Sequence, residues 1–257
     1  MSGSFLDNLF SLDGKTVLIT GANRGLGAGM AEALGKAGAN LVLVLRDTTQ
    51  TEAVKRYTDM GIKTSAVQCD LGNVEQVEKL IEQVVASHRI DVLVNCGGIN
   101  RRYKAHEFPV KDFNEVVQVN YLTPAQLMRD VGAYWIKEKI GGKIINIASI
   151  MSFQGGIEVS SYAGTKHGIV GLTKAYANEW AAHGICVNAI APGYVATDLI
   201  EALLKDEKRN EAILGRIPAN RYGETKDFWG VTVYLASQAS DYCNGSVITV
   251  DGGWVGR

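Results

Sequence analysis

Proline is scarce in this chain, with four in 257 residues, and cysteine and histidine also number four each. So few prolines leave no proline-rich linker, and neither a low-complexity tract nor an internal repeat divides the sequence. The cysteines, Cys69, Cys96, Cys186 and Cys243, stand far apart and form no C-x-x-C pair. That excludes a disulfide framework and reads as reduced, mostly buried thiols. The histidines show no metal-ligand spacing, so no metal is expected. No apolar run reaches the ~18 residues that a membrane helix needs. The opening segment, MSGSFLDNLFSLDGK, lacks a basic stretch followed by an apolar one. A cytoplasmic protein with no secretory leader and no membrane partner is therefore expected. The formal net charge of −1 removes any global electrostatic case for nucleic acid.

What is present is ordinary globular material: 46% hydrophobic and 21% charged residues, enough for one self-sufficient domain spanning 1–257. Short β-branched apolar runs recur at 15–20, 41–45, 64–68, 91–95, 143–148, 186–190 and 246–250. They are continuous rather than alternating, as strands covered on both faces should be. Helical patterns lie between them. Residues 75–86 put Val77, Leu80, Ile81, Val84 and Val85 on one stripe, and the stretches 109–138 and 160–182 are the longest. This rhythm predicts an α/β fold with a doubly wound, seven-stranded parallel sheet of Rossmann type. A charged, helix-prone excursion at 196–220 breaks the rhythm after the sixth strand and is the expected substrate lid.

The first strand runs into Gly21-Ala22-Asn23-Arg24-Gly25-Leu26-Gly27, and a helix pattern follows. Glycines there let the backbone turn sharply and approach a pyrophosphate, while the helix N-terminus offers free N–H groups. The spacing is G-x-x-x-G-x-G, a weak signal alone, with an unliganded tight turn as the bland alternative. The end of the second strand separates the two nicotinamide cofactors, because an acid there favours NAD and a nearby arginine favours the 2′-phosphate of NADP. Here Leu45 stands in the acid's place and Arg46 follows, with Arg24 inside the glycine turn. NADP(H) is therefore the expected cofactor, and NAD(H) the alternative if Asp47 bends back to the ribose. Asp70, with Leu71 beside it, ends the third strand and is placed to accept from an adenine amino group. Asn95-Cys96-Gly97-Gly98 ends the fourth, with residues small enough for close backbone packing.

Tyr162 and Lys166 are four apart on a predicted helix, which puts them on one face. A free phenol has a pKa of about 10 and is a poor base, and a neighbouring ammonium favours its anion. Ser149 ends the fifth strand, on the sheet edge where ligands bind. A Tyr-x-x-x-Lys pair is common on its own. Its occurrence in order with the glycine turn and the strand-end serine is not.

On these residues the chain resembles the short-chain dehydrogenase/reductase family over essentially its whole length. The resemblance implies that Tyr162 is the general acid/base, that Lys166 lowers its pKa and holds the nicotinamide ribose, and that Ser149 positions the substrate carbonyl. It further implies that Asn120 holds a water linking Lys166 to solvent, and that Pro192, Gly193, Val195 and Thr197 border the nicotinamide. Cys96-Gly97 departs from the Asn-Ala often found there. Within the family the likeness runs to sugar-acid dehydrogenases, through Gly98-Ile99-Asn100-Arg101-Arg102, Phe153-Gln154-Gly155-Gly156 and the C-terminal Asp251-Gly252-Gly253-Trp254. Arg101 or Arg102, on the rim of the predicted cleft, would hold a carboxylate, the alternative being that both are surface or subunit-contact residues, and Met151 and Gln154 would meet the rest of a polar hydroxy/keto substrate. His106 and His167 receive no role. The rival readings are a reductase of a more hydrophobic ketone or acyl thioester, and a catalytically silent cofactor-binding regulator, for which the intact Ser149, Tyr162 and Lys166 would be superfluous. The family also pairs its long helices between subunits, so a homotetramer is expected, with a dimer as the alternative.

Overall fold

The computed structural model describes residues 4–49, 51–197 and 207–256. Seven parallel strands, β1 (Thr16–Thr20), β2 (Asn40–Leu45), β3 (Thr64–Gln68), β4 (Val92–Asn95), β5 (Gly142–Ile147), β6 (Ile185–Pro192) and β7 (Val247–Val250), form one sheet in the order β3-β2-β1-β4-β5-β6-β7. The expected fold class holds, and each expected strand lies within two residues of an observed one. The chain winds outward from β1 through β2 to β3, then returns to pair β4 with the other side of β1, with Thr20 opposite Asn95. That reversal opens a crevice at the C-terminal ends of β1 and β4, the place where such sheets bind ligands.

Continuous apolar strands follow from helices on both faces. On one side Val17, Ile19, Leu41, Leu43 and Val94 pack with Met30 and Leu34 of α2 (Gly25–Lys36). On the other, Leu18, Val42 and Leu93 meet Val77, Leu80, Ile81 and Val84 of α4 (Val74–Val85) and Leu127, Val131 and Trp135 of α6 (Thr123–Glu138). Alternate residues of each strand thus serve opposite layers. β3 and β7 are only partly buried, because a terminal strand has a neighbour on one side alone. Among the described residues the remaining helices are α1 (Phe5–Phe10), α3 (Glu52–Asp59), α5 (Val110–Val117), α7 (Ser160–Trp180), α8 (Glu207–Leu214) and α9 (Trp229–Ala236).

Two departures from the sequence reading bear on the site. The stretch expected as one helix over 109–138 contains a π-helical turn at Gln118–Leu122, between α5 and α6, closed by the Thr123 N–H donating to the Gln118 carbonyl. Pro124 has no N–H to give the Asn120 carbonyl, so the regular i to i−4 ladder fails at that point. The expected lid at 196–220 falls partly on 198–206, outside the described residues. Its described remainder is α8 and a return that buries Ile217 against Ile150 and Trp254.

Candidate active site

The glycine turn is shaped by two distances. Gly21 has φ +72°, and a Cβ there would lie 2.8 Å from the Gly97 Cα. A Cβ on Gly27 would overlap the Gly21 carbonyl. Larger side chains at either place would push the turn off the end of β4. Thr20 locks the two together, its Oγ1 accepting from the N–H groups of Cys96 (3.1 Å) and Gly97 (2.9 Å). Thr197 approaches from the end of β6, 3.7 Å from where a Gly25 Cβ would be. Val195 just before it is buried and bridges to Gly223. Pro192 ends β6, and Gly193 leaves no room for a side chain against Asp251. The first turn of α2 has no side-chain cap: Arg24 is extended and caps nothing. A backbone cradle with uncapped amides at a helix N-terminus fits a dinucleotide pyrophosphate.

Around the far end of this cradle, Arg46 is exposed and its carbonyl accepts from Gln68 Nε2. Leu45 is buried where an acid was absent from the sequence. Asp47 turns its carboxylate into its own loop, accepting from the Thr49 N–H at 2.9 Å and hydroxyl at 2.6 Å. Nothing in the spacing of Arg56 and Tyr57 marks them, yet both brace the turn from α3. Arg56 donates to the Asn23 carbonyl at 3.1 Å, and the buried Tyr57 hydroxyl to the Ala22 carbonyl at 2.7 Å. Asp70 accepts from the Gly72 N–H, and Leu71 packs on the core while its carbonyl takes a hydrogen bond from Thr123. Asn95 points into the sheet, donating to Asn146 at 2.9 Å, so it meets the crevice only through its backbone.

Facing the cradle, Ser149 follows β5 and Tyr162 and Lys166 lie on the first two turns of α7. The Ser149 hydroxyl accepts from the Met151 N–H at 3.1 Å and hydrogen-bonds the Tyr162 phenol. The Lys166 ammonium sits 5.5 Å from the centre of the Tyr162 ring and donates to the Ile147 carbonyl. Burial pushes Lys166 down to about 8. Burial also raises Tyr162 above the ordinary phenol value, and the Ser149 hydrogen bond works against that rise. Protein alone therefore keeps the phenol protonated: the loss of water around the ring outweighs the Ser149 hydrogen bond, and the depression expected from Lys166 is not among the influences on the phenol. Cys96 lies against this group, its thiol pushed up to about 11 by burial and so inert. His167 points elsewhere, to the Ala163 carbonyl.

Asn120 is buried in the π turn, and its side chain is spent on the loop after β4: Oδ1 accepts from the Ile99 N–H and Nδ2 donates to the Ile99 carbonyl, both at 2.8 Å. With one lone pair and one proton of that amide taken, the backbone carbonyl is a further group to which a water could bond. Arg101 and Arg102 do not converge on Ser149. Arg101 pairs with Glu115 at 3.0 Å, and Arg102 with Glu158 at 3.7 Å and the Ile157 carbonyl at 3.3 Å. Met151 is half-buried beside Ile150 and Trp254, and Gln154 is half-buried on the loop beyond it.

Known proteins carry the same design. A family model described as Enoyl-(Acyl carrier protein) reductase matches residues 21–255. The chain is 44% identical over 253 residues to 2-dehydro-3-deoxy-D-gluconate 5-dehydrogenase of Bacillus subtilis, covering 98% of this chain and 99% of the relative. It is 45% identical to the protein of that name from Escherichia coli, over 96% and 98% of the two chains. Among solved structures, gluconate 5-dehydrogenase from Burkholderia cenocepacia in complex with NADP and tartrate superposes with a TM-score of 0.94 at 35% identity, over 98% of this chain and 99% of that one. With its glycine cradle, its seven-stranded sheet and its serine, tyrosine and lysine on facing elements, this chain belongs to the short-chain dehydrogenase/reductase family.

Proposed function

We propose that the protein is an NADP(H)-preferring dehydrogenase of a sugar acid, moving a hydride between the cofactor and one hydroxyl or keto carbon. The observation that carries this is the meeting of the Ser149 hydroxyl, the Tyr162 phenol and the Lys166 ammonium at the C-terminal sheet edge, opposite the cradle. A nicotinamide cofactor bound there supplies or accepts the hydride. Tyr162, kept protonated by burial, gives its proton to the substrate oxygen in the reducing direction and takes it back in the oxidising one. Ser149 orients that oxygen, and Lys166 steadies the phenolate and refills its proton. The Asn120 carbonyl, to which Pro124 has no N–H to give, would hold a water in that proton path. Arg46 and Arg24 supply cations for a 2′-phosphate, a reading supported by the buried Leu45 and by the inward turn of Asp47. The sugar-acid relatives and the NADP-bound structure support substrate class and cofactor alike.

The exposed Val110, Phe113 and Leu122 beside α7 form an apolar face that supports the family's subunit pairing, and we extend the proposal to a homotetramer of the cytoplasm. Tyr162→Phe tests the chemistry. NADPH binding by fluorescence titration should be unchanged. Reduction of 5-keto-D-gluconate and oxidation of 2-dehydro-3-deoxy-D-gluconate should each fall roughly 10²- to 10⁴-fold, the usual worth of a positioned acid or base. Retained turnover would remove Tyr162 from the mechanism.

A further inference from the structure

Ser149 and Lys166 stand on different elements, 17 residues apart, and must hold a fixed relation if both are to serve one phenol. Besides the hydrogen bond from the Lys166 ammonium to the Ile147 carbonyl, one side-chain hydroxyl links their backbones. Ser152 ends the short 3₁₀ turn Ile150–Ser152 and is 6% exposed. Its Oγ donates to the Lys166 carbonyl at 2.7 Å and accepts from the Ser149 N–H at 3.3 Å. A serine hydroxyl has one proton to give and two lone pairs. Here the proton goes to the α7 backbone and a lone pair to the β5 end. The second half of the turn is reciprocal: the Ser149 Oγ accepts from the Met151 N–H. One lone pair of the Ser149 hydroxyl is thereby fixed, which sets its rotamer and aims what remains at Tyr162.

We infer that Ser152 is a positioning residue of this active site, holding the backbone of Ser149 in register with the backbone of Lys166 so that hydroxyl and ammonium meet the same phenol. The inference rests on the catalytic reading proposed above and adds to it a residue that touches none of the reacting atoms. Removing the hydroxyl frees the turn from α7. Displacements of that kind, far smaller than a bond of the helix ladder, cost as much as a hundredfold in rate when the reacting groups are pre-aligned. Loss of aim at Ser149 also removes the one hydrogen bond that works against the burial-driven rise of the Tyr162 phenol. The pH at which alcohol oxidation rises should therefore move upward.

The test compares Ser152→Ala and Ser152→Thr in the full-length enzyme with NADPH and 5-keto-D-gluconate, and in reverse with NADP⁺ and D-gluconate. For Ser152→Ala, kcat should fall about 10- to 50-fold with KM for NADPH within twofold of native, and the alkaline limb of the oxidation profile should shift up by at least half a pH unit. Ser152→Thr keeps the donor and should recover kcat to within about threefold of native. A folded Ser152→Ala enzyme with native kcat and an unmoved profile overturns the inference, as does one in which only thermal stability falls. Should Ser152→Ala not fold, Ser152→Cys, which keeps the volume without a strong donor, goes through the same assays. Failure of both to fold makes the role purely structural and also overturns it. Tyr162→Phe separates this from the underlying reading. If that variant is inactive while Ser152→Ala is not impaired, only the role of Ser152 is lost. If Tyr162→Phe is active, the catalytic reading itself falls.

Discussion

At the ends of β1 and β4 the crevice is made of backbone, whereas along the ends of β5 and β6 and around its rim it is made of side chains. In the first region Gly21, Gly27 and Gly97 bring main chain against main chain, and Thr20 and Tyr57 fasten the turn with buried hydroxyls. In the second, two exposed arginines hold two exposed carboxylates, and the buried Tyr162 phenol faces a lysine that burial drives toward neutrality. Backbone contacts at fixed distances tolerate almost no variation. Surface ion pairs are worth little and can be exchanged. The comparison teaches where the chain must keep its residues to bind a cofactor at all, and where it is free to choose a substrate.

The largest expected effect lies on the side-chain half. Lys166→Met should lower turnover about a hundredfold, within the usual range for disturbed acid–base catalysis. It should not lower stability at neutral pH. Folding takes the Lys166 value from 10.5 down to about 8, so below pH 8 both folded and unfolded chains hold the proton and the folded state bears the cost of a buried cation. That cost corresponds to ~3 kcal/mol at most, and the lost hydrogen bond to Ile147 offsets part of it. Native stability should gain on the Met variant as pH rises from 8 toward 10.5, where the unfolded chain binds more protons. Thermal melts at pH 7 and pH 10 check both signs. A variant that melts well below native at pH 7 would show that the ammonium stabilises the fold.

The native enzyme carries a related expectation. If Tyr162 is the proposed acid/base, it must be protonated to reduce a ketone and deprotonated to oxidise an alcohol. Because burial raises it, reduction should be flat across neutral pH and fall only on the alkaline side. Oxidation should climb as pH rises through 8 and beyond. Initial rates in both directions with one substrate pair measure this, and an oxidation rate already saturated at pH 6.5 would contradict the raised phenol.

On the backbone half, effects should sort by cofactor. Arg46→Asp should shift the NADPH-to-NADH preference by at least about tenfold, since a charge-assisted hydrogen bond is worth about 1.5–3 kcal/mol. It should leave kcat with the better cofactor nearly unchanged. Equal loss with both cofactors would mean that Arg46 supports the loop and does not read the phosphate.

These differences also account for what the sequence disclosed. The seven strands and the Ser149, Tyr162 and Lys166 set are local patterns, a period or a spacing, and each survives folding because neighbouring residues alone define it. The glycine turn is legible for the same reason. The π turn at Gln118–Leu122 is invisible to an apolar period: its only sign is Pro124, four residues after Asn120. The bracing by Arg56 and Tyr57, the turning-in of Asp47 and the link made by Ser152 depend on which backbone group lies nearby after folding. Arg101 and Arg102 illustrate the remaining failure. Position on the rim was readable, but the acidic partners that hold them come from α5 and from the loop before α7, more than ten residues away in each case.

The smallest expected effects distinguish those two arginines. Arg101 and Glu115 are both more than two-fifths exposed, and their pair opens at little cost for a substrate carboxylate. Arg102 is engaged with Glu158, a non-glycine residue at φ +62°, and with the Ile157 carbonyl, so it helps hold a strained loop in place. Arg101→Gln should therefore raise the sugar-acid KM about three- to tenfold with an unchanged melting temperature. Arg102→Gln should change melting and KM together. Glu115→Gln supplies the opposite sign: with its competitor gone, Arg101 should bind the carboxylate more tightly, and KM should fall. A sugar of the same length without the carboxylate should respond to neither Arg101→Gln nor Glu115→Gln. If KM for the acid is also indifferent to both, the carboxylate is read elsewhere, and the pair of Arg101 with Glu115 only ties α5 to the loop after β4.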